Sequence, residues 1–315
     1  MHPAFSVIFF TVSSGLGYGL LALIGVHRAL GLLPPGRVFG LTVIGLALAL
    51  VTAGLLSSTV HLGHPERAWR AFSQWRTSWL SREGIAAVVT YIPACALAAA
   101  WMWPDQFSGI GSVAGWTSAV MAIVTVFCTA MIYRSLATIH EWANGWTLIN
   151  YLSLALAGGV VWMTALMTAF GIRFNTMALA SVAALILAWI CKRAYWRFID
   201  TTRHTSTLET ATGLGTFGKV RVFEPPHTED NYLLKEMGYQ VGRRHAVKLR
   251  HYAQSLAFAL PGILLLTATA LDGTPAVWLT GAASLSITAG LLIERWLVFA
   301  QARHVVSLYY GRTGA

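Results

Sequence analysis

Residues 38–60, VFGLTVIGLALALVTAGLLSSTV, carry no charged side chain and run directly into residues 61–84, HLGHPERAWRAFSQWRTSWLSREG, which hold four arginines, two glutamates, two histidines and three tryptophans. A helix needs about 20 apolar residues to cross roughly 30 Å of hydrocarbon, so the first stretch is long enough to span and the second marks the return to water. The same alternation recurs along the chain. Further apolar runs lie at about 4–26, 84–103, 113–134, 148–170, 175–195, 252–271 and 276–299. The fold class expected is all-α: a polytopic integral membrane protein, a bundle of eight transmembrane helices forming a single membrane domain over residues 1–315. Composition agrees, since the 315 residues are 56% hydrophobic and 11% charged, against about 25% charged in a soluble domain. Thirteen Trp and ten Tyr suit the two water–lipid interfaces, where amphipathic rings are favoured.

Basic residues near helix ends are retained on the cytoplasmic side. Of the 22 Lys and Arg, all but Arg28, Arg37 and Arg173 fall on the side of the N-terminus, with 61–84, the connection after the sixth span and the C-terminal end richest. Both termini and the 61–84 stretch are therefore expected in the cytoplasm. The opening MHPAFSVIFF has no basic leader and no small-residue cleavage site, so it reads as a retained first helix. The far side has only short connections. The near side carries one long connection, 195–250, whose Val, Phe, Tyr and Leu among polar residues favour an ordered docking surface over a linker. Cys95, Cys128 and Cys191 sit singly in apolar runs and read as small core residues. No internal repeat is evident.

The depth of the ionisable residues narrows the chemistry, because such groups are costly in a span and usually functional. His61, Glu83, Arg134, His140, Glu141, His251, Glu294, Arg295 and His304 fall at one level, near the cytoplasmic helix ends. A haem between facing helices needs two His at matching depth, which the ten His do not supply; an iron–sulfur cluster needs four Cys and three are present. A proton pump or ion-coupled transporter needs ionisable groups through the midplane; only Pro261-Gly262 and Pro93 hint at broken helices. A shallow quinone site fits better: carbonyls need donors, the ring can stack on an aromatic, and a titratable His and Glu near water can exchange the protons that accompany the electrons. Each residue also has a plainer reading. His61 can cap a helix, Glu83 can be a first-turn acid stabilised by the helix dipole, and the arginines can be snorkelling topology signals. Their concentration in one stretch favours the site.

HLGHPERA followed by Ser81-Arg82-Glu83 resembles the HLG-x-P-x-R-A and S-x-E segments of the membrane anchor subunits of DMSO-reductase-type molybdenum enzymes. MHPAFSVIF, MIYRSLATIHEW at 131–142 and ERWLVFAQARHVVSLYYG at 294–311 extend the resemblance nearly end to end. It implies a quinone-binding anchor, for ubiquinone or menaquinone, in the bacterial cytoplasmic membrane. The iron–sulfur clusters and molybdopterin would lie in a ferredoxin-like subunit and a catalytic subunit on the cytoplasmic face. It also implies that His61 and Glu83 act at the quinone site, with Arg67, Trp69, Ser81 and Arg82 around them and Arg134, His140 and Glu294 further out. The orientation, with EPPHT and NYLLKEMGY in the long connection, is most similar to the anchor of the cytoplasmic quinone-dependent sulfite dehydrogenase; the rival direction is quinol oxidation for an S-oxide or tetrathionate reductase. Trp69, Trp75 and Trp79 make the segment more aromatic than the family pattern. The charge distribution predicts that a green fluorescent protein fused after residue 315 fluoresces while alkaline phosphatase fused there is inactive; the opposite pair of results inverts the topology.

Overall fold

The computed structural model describes residues 3–33, 36–60, 62–202, 205–224 and 245–310. Eight of its helices are long and apolar enough to span a membrane: α1 Phe5–Ala29, α2 Arg37–Thr59, α3 Trp79–Met102, α4 Pro104–Arg134, α5 Gly145–Ala169, α6 Asn175–Thr201, α7 Ala246–Ala268 and α8 Thr274–Ala300. Among the described residues there are no strands beyond an isolated bridge, Ile139 to His304.

Helix ends follow local chemistry. Before α3, Ser78 is extended and its hydroxyl accepts the Ser81 N–H at 3.4 Å, a side-chain cap for an otherwise orphaned donor. The cap starts the helix ahead of the hydrophobic run, so Ser81, Arg82 and Glu83 are helical. Asn144 caps α5 through Thr147 N at 3.2 Å. At the other extreme, α6 continues to Thr201, past the 175–195 apolar run, and carries Lys192 within it. At Pro261-Gly262, where a broken helix would have suited a transporter, the span is continuous and carries a π turn, Ser255–Ala259. Proline lacks an N–H and its ring crowds the carbonyl a turn earlier; the freed Leu256 carbonyl is met by the Ser286 hydroxyl of α8 at 2.8 Å, as hydrocarbon requires.

α1 is the central post, packed on α2, α4, α5 and α8, with α3 on α4, α6 on α5 and α7 on α8. Its glycines set the spacing. A Cβ at Gly19 would lie 1.9 Å from the Ala155 carbonyl oxygen, one at Gly159 of α5 2.3 Å from the Gly19 carbonyl carbon, and one at Gly25 2.4 Å from the Gly115 oxygen of α4. Backbones touch there, as in membrane bundles held by small residues.

The near face is closed by the chain's C-terminal part. Val305 N donates to Thr138 O at 3.1 Å, Arg303 N to the buried Glu141 carboxylate at 3.1 Å, and Trp142 Nε1 to Val298 O at 2.9 Å. Below them Tyr133, Trp142 and Phe299 meet edge to face. Of the long connection, a one-turn helix Leu208–Thr212 is described, and Tyr309 ties it down by donating to Ala211 O at 2.7 Å. The segments PPHT and NYLLKEMGY, which the sequence reading assigned to docking, lie outside the described residues.

Two outcomes follow from this packing. Gly159→Leu should force α1 and α5 apart and cost 3 kcal/mol or more, roughly the upper end for overpacking, seen as loss of monodisperse protein after detergent extraction; Gly45→Ala, where a Cβ meets nothing within 4 Å, should be neutral. Burial lowers the His304 pKa, and its Nδ1 accepts the Val306 N–H at 3.0 Å. An imidazole depressed in the folded state stabilises above its unfolded pKa, so the clasp should loosen as pH falls below about 6.5, read as faster amide exchange at Val305.

Candidate functional site

The segment between α2 and α3 lies across the near ends of those helices as a 3-10 run, Pro65–Gln74. Pro65 suits its first turn, where no N–H is needed. Trp69 is 66% exposed and Trp75 53%, each with an arginine over its ring, Arg70 at 5.6 Å and Arg76 at 5.5 Å. Arg67 is exposed and 3.7 Å from Glu66, which His64 also meets at 3.0 Å; exposed pairs of this kind contribute little. Phe72, 41% exposed, lies against Gly84, whose added Cβ would lie 2.8 Å from the ring.

Three consecutive residues of α3 then divide the work. Ser81 is buried and donates to the Ala71 carbonyl. Arg82 donates from Nε to Trp75 O at 2.9 Å and from Nη2 to Arg76 O at 2.7 Å, with its guanidinium 4.2 Å from the Trp79 ring centre. These side chains hold the segment in place; their donors are engaged on backbone carbonyls. Glu83 points the other way, into the bundle, 4% exposed. It accepts a hydrogen bond from Thr129 of α4, within electrostatic range of Tyr18 on α1 and Tyr133 on α4. Thr129 lies one turn beyond Thr125, whose hydroxyl meets Thr90 at 3.2 Å, so Glu83 heads a short hydroxyl ladder between α3 and α4.

Of the other residues singled out from sequence, His61 lies outside the described residues. Arg134 is exposed at the end of α4. His140 pairs with Thr202 at 2.8 Å and stacks on Phe198. Neither joins Glu294, which is fully buried and bound to Lys192 of α6. Lys192 is the residue that sequence reasoning missed, having been counted with the topology signals. Its position inside the apolar run LILAWICKRAYW was the available signal, since a lysine there must have a partner. Arg295 completes this second cluster, its guanidinium 3.9 Å from the centre of the Tyr151 ring. Lys192 Nζ is itself 4.2 Å from the Tyr195 ring centre. The two clusters meet at a narrow cavity lined by Thr11, Ser14, Thr129, Tyr151 and Arg295. Among the described residues no three His, Cys, Asp or Glu side chains gather as a metal site would need.

The chemistry available is thus proton exchange at a buried carboxyl, beneath a surface rich in arginine and tryptophan. Comparison with known proteins assigns the architecture. A sulfite dehydrogenase subunit from Allochromatium vinosum is 33% identical over 331 aligned positions, which cover 98% of this chain and 99% of that protein. The anaerobic dimethyl sulfoxide reductase chain YnfH of Escherichia coli is 27% identical over 142 positions, 44% of this chain and 48% of that one. Residues 1–312 match the family described as DMSO reductase anchor subunit (DmsC), and the chain is accordingly a multi-pass membrane protein of that anchor family.

Proposed function

We propose that this anchor exchanges electrons and protons with ubiquinone or menaquinone at the near face, passing electrons from cytoplasmic sulfite oxidation into the quinone pool of a bacterial cytoplasmic membrane. The observation that carries the reading is Glu83, a carboxyl buried just inside the membrane end of α3 beneath the 62–78 segment. Reducing a quinone takes up two protons with two electrons. Glu83 can hold one, and the imidazole of His61 is the natural source of the other. Trp69 and Arg67, exposed on the segment, offer a stacking face and a donor. Leu56, Val60 and Leu80, exposed at the near ends of α2 and α3, give an isoprenoid tail an apolar approach. Ser81 and Arg82 position the segment through its backbone, and Arg134 and His140 belong to the surrounding basic face.

The partners in this reading are a ferredoxin-like iron–sulfur subunit and a molybdopterin catalytic subunit on the cytoplasmic side, which bring the iron–sulfur clusters and the molybdopterin. Phe217 at 88% exposure and Phe223 at 91%, in the described part of the long connection, support docking there, because exposed aromatic rings are typical anchors of an interface. End-to-end similarity to a sulfite dehydrogenase subunit favours sulfite as donor; the shorter match to a dimethyl sulfoxide reductase chain supports the reverse direction, quinol oxidation for a reductase, as the second reading.

The purified intact complex should reduce a quinone analogue with sulfite. Glu83→Gln, nearly isosteric, should lower kcat by about 100-fold, the scale of losing one proton-transfer group, with assembly unchanged. Full activity in that variant would remove Glu83 from the reaction. Inertness towards sulfite, together with quinol oxidation by an S-oxide, would establish the reverse direction.

A further inference from the structure

Glu83 is shut off on its loop side. Phe72 lies over Gly84, the clasps of Ser81 and Arg82 pin the segment above it, and only 4% of the residue is exposed. A proton that comes and goes at this carboxyl needs a path, and the structure offers one on the opposite side, through the second buried cluster.

Lys192, Glu294 and Arg295 are 1%, 0% and 4% exposed. One Glu294 oxygen is bound to Lys192. The other lies 3.7 Å from Arg295 Nε, too far for a hydrogen bond, and neither of these two atoms has a hydrogen-bond partner within the described residues. Buried polar atoms left dry cost about 1–3 kcal/mol each, so this cluster calls for internal water. A cavity reaches the cluster through Arg295: Thr11, Ser14 and Gly15 of α1, Thr129 of α4, Tyr151 of α5 and Arg295 of α8 line a space with room for about one water molecule and enough polar partners to hold it. Thr129 belongs to both systems, since the hydroxyl that lines the cavity also donates to Glu83.

At its other end the cluster lies behind the buried Trp196 ring. Lys192 Nζ lies 5.2 Å from the centre of the Trp196 ring, and Arg250 of α7 lies 5.3 Å from the same ring. Arg250 pairs with Asp200 at 2.6 Å, an aspartate whose side chain is 54% exposed where α6 ends. The polar groups therefore run from Asp200 and Arg250 at the surface, past Trp196, to Lys192 and Glu294, then Arg295, the cavity, Thr129 and Glu83. A purely structural ion pair would not need to lie on such a line, and buried pairs rarely add net stability over apolar packing.

We propose that Lys192 and Glu294 form the proton relay that joins Glu83 to water at the base of the connection between α6 and α7. This rests on the reading of Glu83 as the quinone-linked proton carrier. In the uptake direction, the Lys192 ammonium gives its proton to Glu294, Glu294 gives one to the cavity water, and that water gives one to the Glu83 carboxylate. The neutral Lys192 amine then regains a proton from water beside Asp200. Each transfer breaks one bond to hydrogen and forms another, and no electrons move. Arg295 keeps its charge throughout and holds Glu294 and the water in register. The tyrosines that face the route, Tyr18, Tyr133, Tyr151 and Tyr195, titrate near pH 10 when unperturbed and serve as fixed dipoles. Cys128 lies within electrostatic range of Glu83, and Arg82 is turned away onto Trp75 O and Arg76 O.

The test follows protonation of Glu83 itself and needs no quinone. In the intact complex, a pH jump monitored by infrared spectroscopy gives the rise of the Glu83 carboxyl band, identified by its absence in Glu83→Gln. Two variants interrupt the relay. Lys192→Met with Glu294→Gln removes both charges together and so leaves neither of the pair uncompensated. Gly15→Val fills the cavity from a position where a Cβ meets no atom within 4 Å, leaving the ion pair and Glu83 intact. Both should slow the band by about 100-fold, the lower end for losing a proton-transfer group, while Phe72→Ala, which thins the loop-side cover, leaves the rate unchanged. A wild-type rate in Gly15→Val, or acceleration by Phe72→Ala alone, overturns the relay; if the double variant does not assemble, those two substitutions decide. A slowed band in a complex that reduces no quinone would keep the relay and discard the quinone reading.

Discussion

Hydrocarbon supplies no hydrogen bonds, and this constraint shapes the molecule more than any single contact. Every backbone group and every ionisable side chain placed inside the bundle has to find its partner within the protein. The π turn of α7 shows the rule for the backbone: Pro261 removes a donor, and Ser286 of the next helix takes up the freed carbonyl. The same demand brings Lys192 to Glu294 and Thr129 to Glu83. These meetings need helices that sit close and in fixed register, and the glycines of α1 supply that closeness by letting its backbone touch those of α4 and α5.

The ionisable side chains of the interior thereby collect in one shallow layer near one face. Glu83 enters from the start of α3, Glu294 and Arg295 from the end of α8, and Lys192 from the last third of α6. α1, α4 and α5 fill the space between them with hydroxyls and tyrosines. This layer lies just beneath the surface where the 62–78 segment and the long connection present arginines and exposed aromatic rings.

The division of labour inside Ser81-Arg82-Glu83 illustrates how neighbouring residues of one motif reach different ends. Helical geometry turns successive side chains by about 100°, so the first two clasp the overlying segment and the third faces the core. Read as a string, the three looked like ligands of one site. Folded, two clasp the overlying segment through the backbone carbonyls of Ala71, Trp75 and Arg76, and the third is buried against Thr129.

The eight spans and the single level of the charged residues were legible in the sequence, because length, apolarity and charge are local properties that the bilayer reads directly. Glu83 stood out as well, as a carboxyl at the edge of an apolar run. Which charged residues meet was not legible. Glu294 lies beside Arg295 in the chain and at the same level as Arg134 and His140, yet its partner is Lys192, 102 residues away. That pairing depends on the rotation of α6 and α8 about their own axes, which near-uniformly apolar helices do not encode in any periodic pattern; it is settled only when close packing chooses which faces turn inward. The sequence by itself determined the number, length and expected sidedness of the helices and the shallow level of their ionisable residues, and only the tertiary structure decided which polar groups share an interior.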